Sequence, residues 1–327
     1  MCEGQSYSIK LRALSRRILD PSEPTPHSAK LSFSPEFSEE NAIAEATKAA
    51  SEADVAVVFA GRNAEWESEG SDLIDLKLPR SQDALIKAVA KASSKTVVVL
   101  YGGNPFDVSD WIDTVDAVIF AHYPGQEGAA ALADILAGII CPSGRLPMTW
   151  PKNLASAPTF NNFPPILIDR GYALNYHEGL KVGYRYYSAA LDSARWMFGH
   201  GLSYTTFEFA DLTVKRSVMK GEDGLMELEV KVKNTGIIAG AEVVQAYVKD
   251  LGTAVWRPLE ELRAFEKVFL QPGEEQLVRL EMIERHAFSF WDEKAGQWVV
   301  EAGEYQIRVD TLVASFAVEK RFGWNGL

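Results

Sequence analysis

The sequence predicts two unlike domains in series: an α/β domain built on a mostly parallel sheet, then a β-sandwich. Three observations carry this. Short, uninterrupted β-branched runs alternate with helical patterns as far as about residue 137. The periodicity then stops across a stretch rich in Pro, Asn, Tyr and Gly, and from about Phe207 a strict two-residue alternation takes over. A length of 327 residues has room for about two domains.

Residues 1–37 show no sustained period, and Pro21, Pro24 and Pro26 break any helix there, so an irregular lead-in is expected. Ser38 suits an N-cap, with Glu39 and Glu40 in the first turn, where the helix dipole favours carboxylates. Ile43, Ala46, Ala50 and Ala53 then recur at helical spacing. Val55–Gly61 (VAVVFAG) reads as a strand buried on both faces. Ser81 is the next cap candidate, for a helix with Leu85, Ala88, Val89 and Ala92 on one face. Thr96–Gly103 and Ala117–Ala121 are the second and third buried strands, and a helix is expected from about Glu127 to Ala137. The α/β domain thus spans 38–160. Residues 161–205 carry many aromatics and are expected to form a packed connector. In 206–327, Met226, Leu228, Val230 and Val232 alternate with Glu227, Glu229, Lys231 and Lys233. Val278–Met282 and Tyr305–Val309 repeat the scheme, with turn signals NTG, QPGE and EAGE between them. About seven such strands make a sandwich.

Composition excludes several function classes. The net charge is −12, which gives no basic footprint for nucleic acid or an anionic membrane, so neither is expected as a partner. Cys2 and Cys141 cannot build a disulfide framework, the five histidines are scattered, and neither HExxH nor CxxC occurs, so no metal is expected. No nucleotide cofactor is expected either: Gly102–Asn104 follows a strand but no GxGxxG or GxxxxGK[ST] does. No apolar run approaches a membrane span. The N-terminal residues lack an apolar signal stretch, so the expectation is a cytoplasmic protein, or a secreted one if a leader precedes this sequence.

In parallel sheets, functional loops leave the carboxyl ends of the strands. The densest polar cluster sits there, on Gly61–Leu73, with Glu65, Trp66, Glu67, Glu69 and Asp72. A carboxyl group crowded by other carboxylates and an indole suits a general acid. A solvated acidic loop has the same composition. His122–Gly128 (HYPGQEG) follows the third strand and brings His122 and Tyr123 as binding candidates with Trp66 and Asp72, although turn chemistry alone accounts for the segment. Tyr176–Tyr187 and Met197–Phe209 are aromatic, which suits either sugar stacking or a domain interface.

These segments, together with CPSGRLPMTWP, FGHGLSYTTFEF, VKNTG…AEVVQAYV and RPLEELRAFEKVFLQPGE, resemble glycoside hydrolase family 3, the β-glucosidase type, in order and spacing from about residue 40 to the end. The resemblance implies an α/β sandwich domain followed by a fibronectin type III-like domain. It also implies a retaining mechanism with an aspartate nucleophile and a glutamate acid/base. The family's E-G-[YF]-D-R loop falls on Glu69, Gly70, Ser71, Asp72 and Leu73, making Glu69 the acid/base and Glu67 the second choice. Ser71 replaces the usual aromatic and Leu73 the usual arginine.

The family's nucleophile lies on an N-terminal barrel of about 250 residues, for which the stretch before residue 40 has no room. The first elements of the α/β domain are expected to be missing too. Autonomous hydrolysis is therefore not expected. Three readings remain open: the C-terminal half of a β-glucosidase-like enzyme, a barrel-less enzyme doing acid/base chemistry on a small metabolite, and a non-catalytic carbohydrate-binding or scaffold protein. The expected partner is a small molecule such as a glycoside, with either a separate barrel-containing chain or self-association.

Overall fold

The computed structural model describes residues 38–70, 72–218, 224–253 and 255–325. The lead-in expected over 1–37 lies outside the described residues, as does Ser71.

Helix α1 (Glu39–Ser51) starts where expected: the Ser38 side chain accepts from the Asn41 amide at 3.3 Å. Strands β1 (Ala56–Gly61), β2 (Thr96–Tyr101) and β3 (Ala117–His122) form a three-stranded sheet in that order, with both pairings parallel. Helix α2 (Gln82–Ala92) lies between β1 and β2 in sequence, and α3 (Gly128–Leu136) follows β3. Ser81 occupies the N-cap of α2 but makes no side-chain cap bond. The neighbouring Gln82 amide does the joining instead, accepting from Gly61 N–H at 2.7 Å and donating to the Gly61 carbonyl at 3.1 Å. Ala50 of α1 and Ile86 and Val89 of α2 cover one face of the sheet, with Val58, Leu100, Phe106, Trp111 and Trp150 in the same core. The two buried indoles are satisfied: Trp111 donates to Asp83 at 2.8 Å and Trp150 to the Phe106 carbonyl at 2.7 Å.

Three expectations are corrected here. β3, expected as a buried strand, has no buried residue, and β1 is not buried on both faces, since Val57 is partly exposed and Phe59 is 56% exposed. β1 is an edge strand in the described sheet, and the α1–α2 layer covers only the side that carries Ala56, Val58 and Ala60. An unbroken apolar run does not say whether the second cover is present. The connector expected to be packed over 161–205 is packed only toward its C-terminal end. Trp150–Pro151 pairs with Ala194–Trp196, and Tyr187 is buried. Between them a hairpin, Ile166–Ile168 with Gly171–Ala173, stands exposed.

The second domain pairs two antiparallel sheets. One runs β8 (Glu275–Ile283), β5 (Gly224–Asn234), β4 (Phe207–Val218). The other runs β7 (Glu261–Leu270), β6 (Gly240–Asp250), β9 (Gly303–Val309), β10 (Leu312–Val318). Their inner faces carry the alternating residues read from the sequence: Met226, Leu228, Val230 and Val232 on β5, Val278, Leu280 and Met282 on β8, and Tyr305, Ile307 and Val309 on β9. The domains meet through Arg145, whose guanidinium grips both Glu242 oxygens at 2.6 and 3.1 Å. Thr205 donates to Asn234 at 2.6 Å, and the Leu262 amide donates to the Tyr184 hydroxyl at 3.0 Å.

The asymmetry between a covered and an uncovered face makes a test. Leu228→Ala should cost about 2–5 kcal/mol, as large-to-small changes in a packed core do. Phe59→Ala should stay within about 0.5 kcal/mol, as surface changes do. Urea melts of the two variants check this; comparable losses would mean that Phe59 is packed in solution.

Candidate active site

The site grows from the carboxyl ends of the three parallel strands. β1 ends at Gly61, where φ is +150° and an added Cβ would sit 2.0 Å from the Tyr101 carbonyl oxygen, so only glycine fits. The next residue, Arg62, turns inward, its side chain 1% exposed. Its guanidinium stacks 4.2 Å from the centre of the Phe106 ring. It donates to Glu67 at 3.0 Å, to the Lys77 carbonyl at 3.0 Å and to the Pro105 carbonyl at 3.4 Å. Asn63 shapes the turn that follows: its carbonyl accepts from the Trp66 and Glu67 amides, and its side chain accepts from the Glu65 amide.

Glu67 joins all three strand ends. One carboxylate oxygen takes Arg62; the other accepts from Gly103 N–H at 2.6 Å and from the Tyr123 hydroxyl at 2.7 Å. A Cβ on Gly103 would lie 3.2 Å from that oxygen, so the glycine allows the close approach. Burial works to raise the Glu67 pKa. The Gly103, Tyr123 and Arg62 hydrogen bonds and the Arg62 charge outweigh it and hold the carboxyl below its ordinary value. Partial burial, then the bond to Glu67, pushes the Tyr123 hydroxyl up to about 12, so it stays a donor.

Beside this knot lies an open depression of about 460 Å³ lined by Glu67, Ser68, Glu69, Asp72, Leu73 and Asn104. Glu69 and Asp72 are both exposed. The structure therefore brings together Glu67, Glu69 and Asp72 around the depression, with Tyr123 attached through Glu67. Trp66 is half-exposed on the same loop and does not line the depression. His122 acts through its backbone: it sits at φ +53° on an irregularity of the β2–β3 pairing, and its carbonyl accepts from Gly102 N–H at 3.3 Å. Its ring packs 4.1 Å from Phe120, and burial lowers its pKa, so the imidazole is neutral at neutral pH. Sequence reasoning missed Arg62, Gly103 and Asn104. The available signal was an arginine directly after a buried strand, where a lone cation needs a carboxylate.

Comparison with known proteins gives this geometry a context. Residues 5–204 match the glycosyl hydrolase family 3 C-terminal domain, and 242–312 match the fibronectin type III-like domain. The chain is 45% identical over 271 residues to thermostable beta-glucosidase B of Acetivibrio thermocellus, covering 83% of this chain and 35% of that protein. Among solved structures it resembles a Kluyveromyces marxianus beta-glucosidase in complex with glucose (TM-score 0.82, 39% identity, 89% of this chain and 35% of that one). It also resembles DesR, a beta-glucosidase from Streptomyces venezuelae in complex with D-glucose (TM-score 0.76, 35% identity, 85% and 35%). The chain thus spans about a third of the length of these relatives.

The Glu67 knot has a pH signature. A carboxyl held below its ordinary value of 4.5 stabilises the fold fully above that pH, and the contribution is lost as pH falls through the lower folded value. Glu67→Gln should cost about 3 kcal/mol at pH 7, because it leaves the buried Arg62 charge poorly compensated. It should also flatten the acid limb. Denaturant midpoints measured from pH 7 to pH 3 check both, and equal acid limbs in the two proteins would show that Glu67 is not ionised in the fold.

Proposed function

The chain belongs to glycoside hydrolase family 3 through its C-terminal domain, and on that premise we propose that it provides the acid/base half of a β-glucoside-hydrolysing site. The complementary half, with the aspartate nucleophile, comes from a barrel of the family's kind, whether on the same polypeptide or another. In this reading residues 38–160 are an α/β sandwich domain and 206–327 a fibronectin type III-like support.

One observation carries the assignment of the proton to Glu69: two carboxylates on one loop have opposite environments. Glu67 accepts from three donors and is held ionised, so it has no proton to give near neutrality. Glu69 is exposed at the rim of the depression, on the loop that Glu67 anchors. A general acid must reach the leaving oxygen, which the exposed group can do and the pinned one cannot. Glu67 is then a positioning residue. It fixes the loop to Gly103 and Tyr123, so Glu69 is presented from a rigid base.

A retaining double displacement needs two carboxyl groups about 5–5.5 Å apart on opposite faces of the sugar. Glu69 protonates the glycosidic oxygen as the nucleophile attacks the anomeric carbon. It then takes a proton from the water that releases the covalent intermediate. Asp72 and Asn104, which share the lining, suit hydrogen bonds to sugar hydroxyls.

The chain alone should not hydrolyse aryl β-glucosides. Mixed with the portion of the Acetivibrio thermocellus enzyme that this chain does not span, it should restore turnover. Glu69→Gln should then lower that turnover by about 10² to 10⁴-fold, the usual contribution of a positioned acid. A small nucleophile such as azide should restore the second half-reaction. Full activity in Glu69→Gln, or turnover by the isolated chain, would overturn the reading.

A further inference from the structure

The hairpin Ile166–Ile168 with Gly171–Ala173 is apolar on both of its faces. Leu167 pairs directly with Tyr172, so these two share one face. Side chains alternate along a strand, so Ile166 and Ile168 point to the other. All four are exposed: Ile166 67%, Leu167 71%, Ile168 51% and Tyr172 73%. The exposure continues along the same segment at Tyr176 and Leu180. Exposed apolar surface this contiguous marks an interaction site on a water-soluble surface.

The base of the hairpin is fixed while its tip projects. Asn162 donates to Glu178 at 2.6 Å across its two ends, and beyond them Arg185 pairs with Glu261 and Tyr187 is buried. A two-stranded hairpin with nothing packed on it is marginal in water. A hairpin lying flat on a partner would be apolar on one face and polar on the other. Apolar residues on both faces call for cover on both.

We propose that this hairpin is a finger that inserts into a cleft of the barrel, clasping it to the site-bearing domain; the inference rests on the partner reading above. Two observations select that occupant. The relatives are about three times as long as the segment they share with this chain, and the family match that contains the finger, residues 5–204, is to a C-terminal domain. Two depressions of a second copy are poor seats for an apolar finger, because both carry charged groups. The depression at Glu69 is acidic, and in the interdomain cleft of about 380 Å³ Arg145, Glu242, Arg308 and Asp310 stand among Met197, Phe198, Phe209 and Tyr247. A charged wall would leave its groups without water against an apolar finger.

The test uses the whole chain and, as probe, the part of the Acetivibrio thermocellus β-glucosidase that this chain does not span. Sedimentation velocity should show a one-to-one complex. Leu167→Asp with Tyr172→Asp alters one face, and Ile166→Asp with Ile168→Asp the other. Each pair should weaken the complex about tenfold or more, the loss expected from one buried aliphatic or aromatic side chain. Circular dichroism melts should be unchanged, because these side chains touch no core. A complex that both pairs leave intact overturns the finger and leaves the partner reading standing. Weakening by only one pair overturns insertion in favour of flat packing. No complex with the unaltered chain overturns both the finger's occupant and the partner reading. A self-dimer that either pair abolishes makes a second copy the occupant and overturns the proposal.

Discussion

The fold's first domain depends on one buried ion pair. Arg62 and Glu67 lie five residues apart on a loop, yet between them they tie down every strand end of the parallel sheet. Removing both charges from water is costly, and their attraction alone rarely repays it. Here the pair is surrounded by further partners: carbonyls from Lys77 and Pro105 for the guanidinium, Gly103 N–H and the Tyr123 hydroxyl for the carboxylate. Gly102 and Gly103 follow from this arrangement, since a Cβ on the first would meet the Phe106 ring at 2.7 Å and one on the second would crowd Glu67. Local composition thus answers to a long-range electrostatic requirement.

From Arg62 a continuous packed path leads to the other domain. The guanidinium covers Phe106, Phe106 packs on Trp150, and Trp150 meets Trp196 edge-on at 5.3 Å. Trp196 stacks with His200, and the adjoining Gly199 lies so close to Gln245 of β6 that a Cβ there would meet its amide oxygen at 2.5 Å. Burial, then the nearby Arg145 charge, lowers the His200 pKa, so this junction carries no added charge at neutral pH. The β-sandwich therefore bears on the base of the site loop through aromatic packing, while the Arg145–Glu242 pair fixes the angle at which the domains meet. A sandwich with no described group in the depression is thus packed continuously to the base of the loop.

Much of this was legible in the sequence, and the limits have physical causes. The alternation from Met226 to Val232 predicted its own burial, because a sheet with one wet face leaves a period-two record. The parallel sheet could be read from Thr96–Tyr101, whose central residues Val98, Val99 and Leu100 are buried. β1 misled, because its residues are written for two covers and the described structure provides one. The acidic loop could be picked out by its composition, but its members could not be ranked. What distinguishes Glu67 from Glu69 is contact with Gly103 and Tyr123, 36 and 56 residues away. The tyrosines of the connector were read as packing, yet Tyr172 and Tyr176 are exposed, Tyr187 is buried, and Tyr184 is the one that bonds to the second domain.

The open form of the depression and the exposed finger bear on one another. Protonating a glycosidic oxygen is favoured where water is excluded and fixed dipoles replace it. A rim made of Ser68, Glu69 and Asp72, with Ile74 at 93% exposure just beyond, excludes nothing by itself. An isoleucine so placed contributes nothing to the core of this chain, as the tip of the finger contributes nothing to either of its domains. Against a second surface both would be stabilising, and on the proposed reading the barrel is that surface and also closes the depression. On the proposed reading, the apolar residues that look misplaced on this chain and the carboxylate at the rim answer to the same requirement: a wall supplied by the barrel.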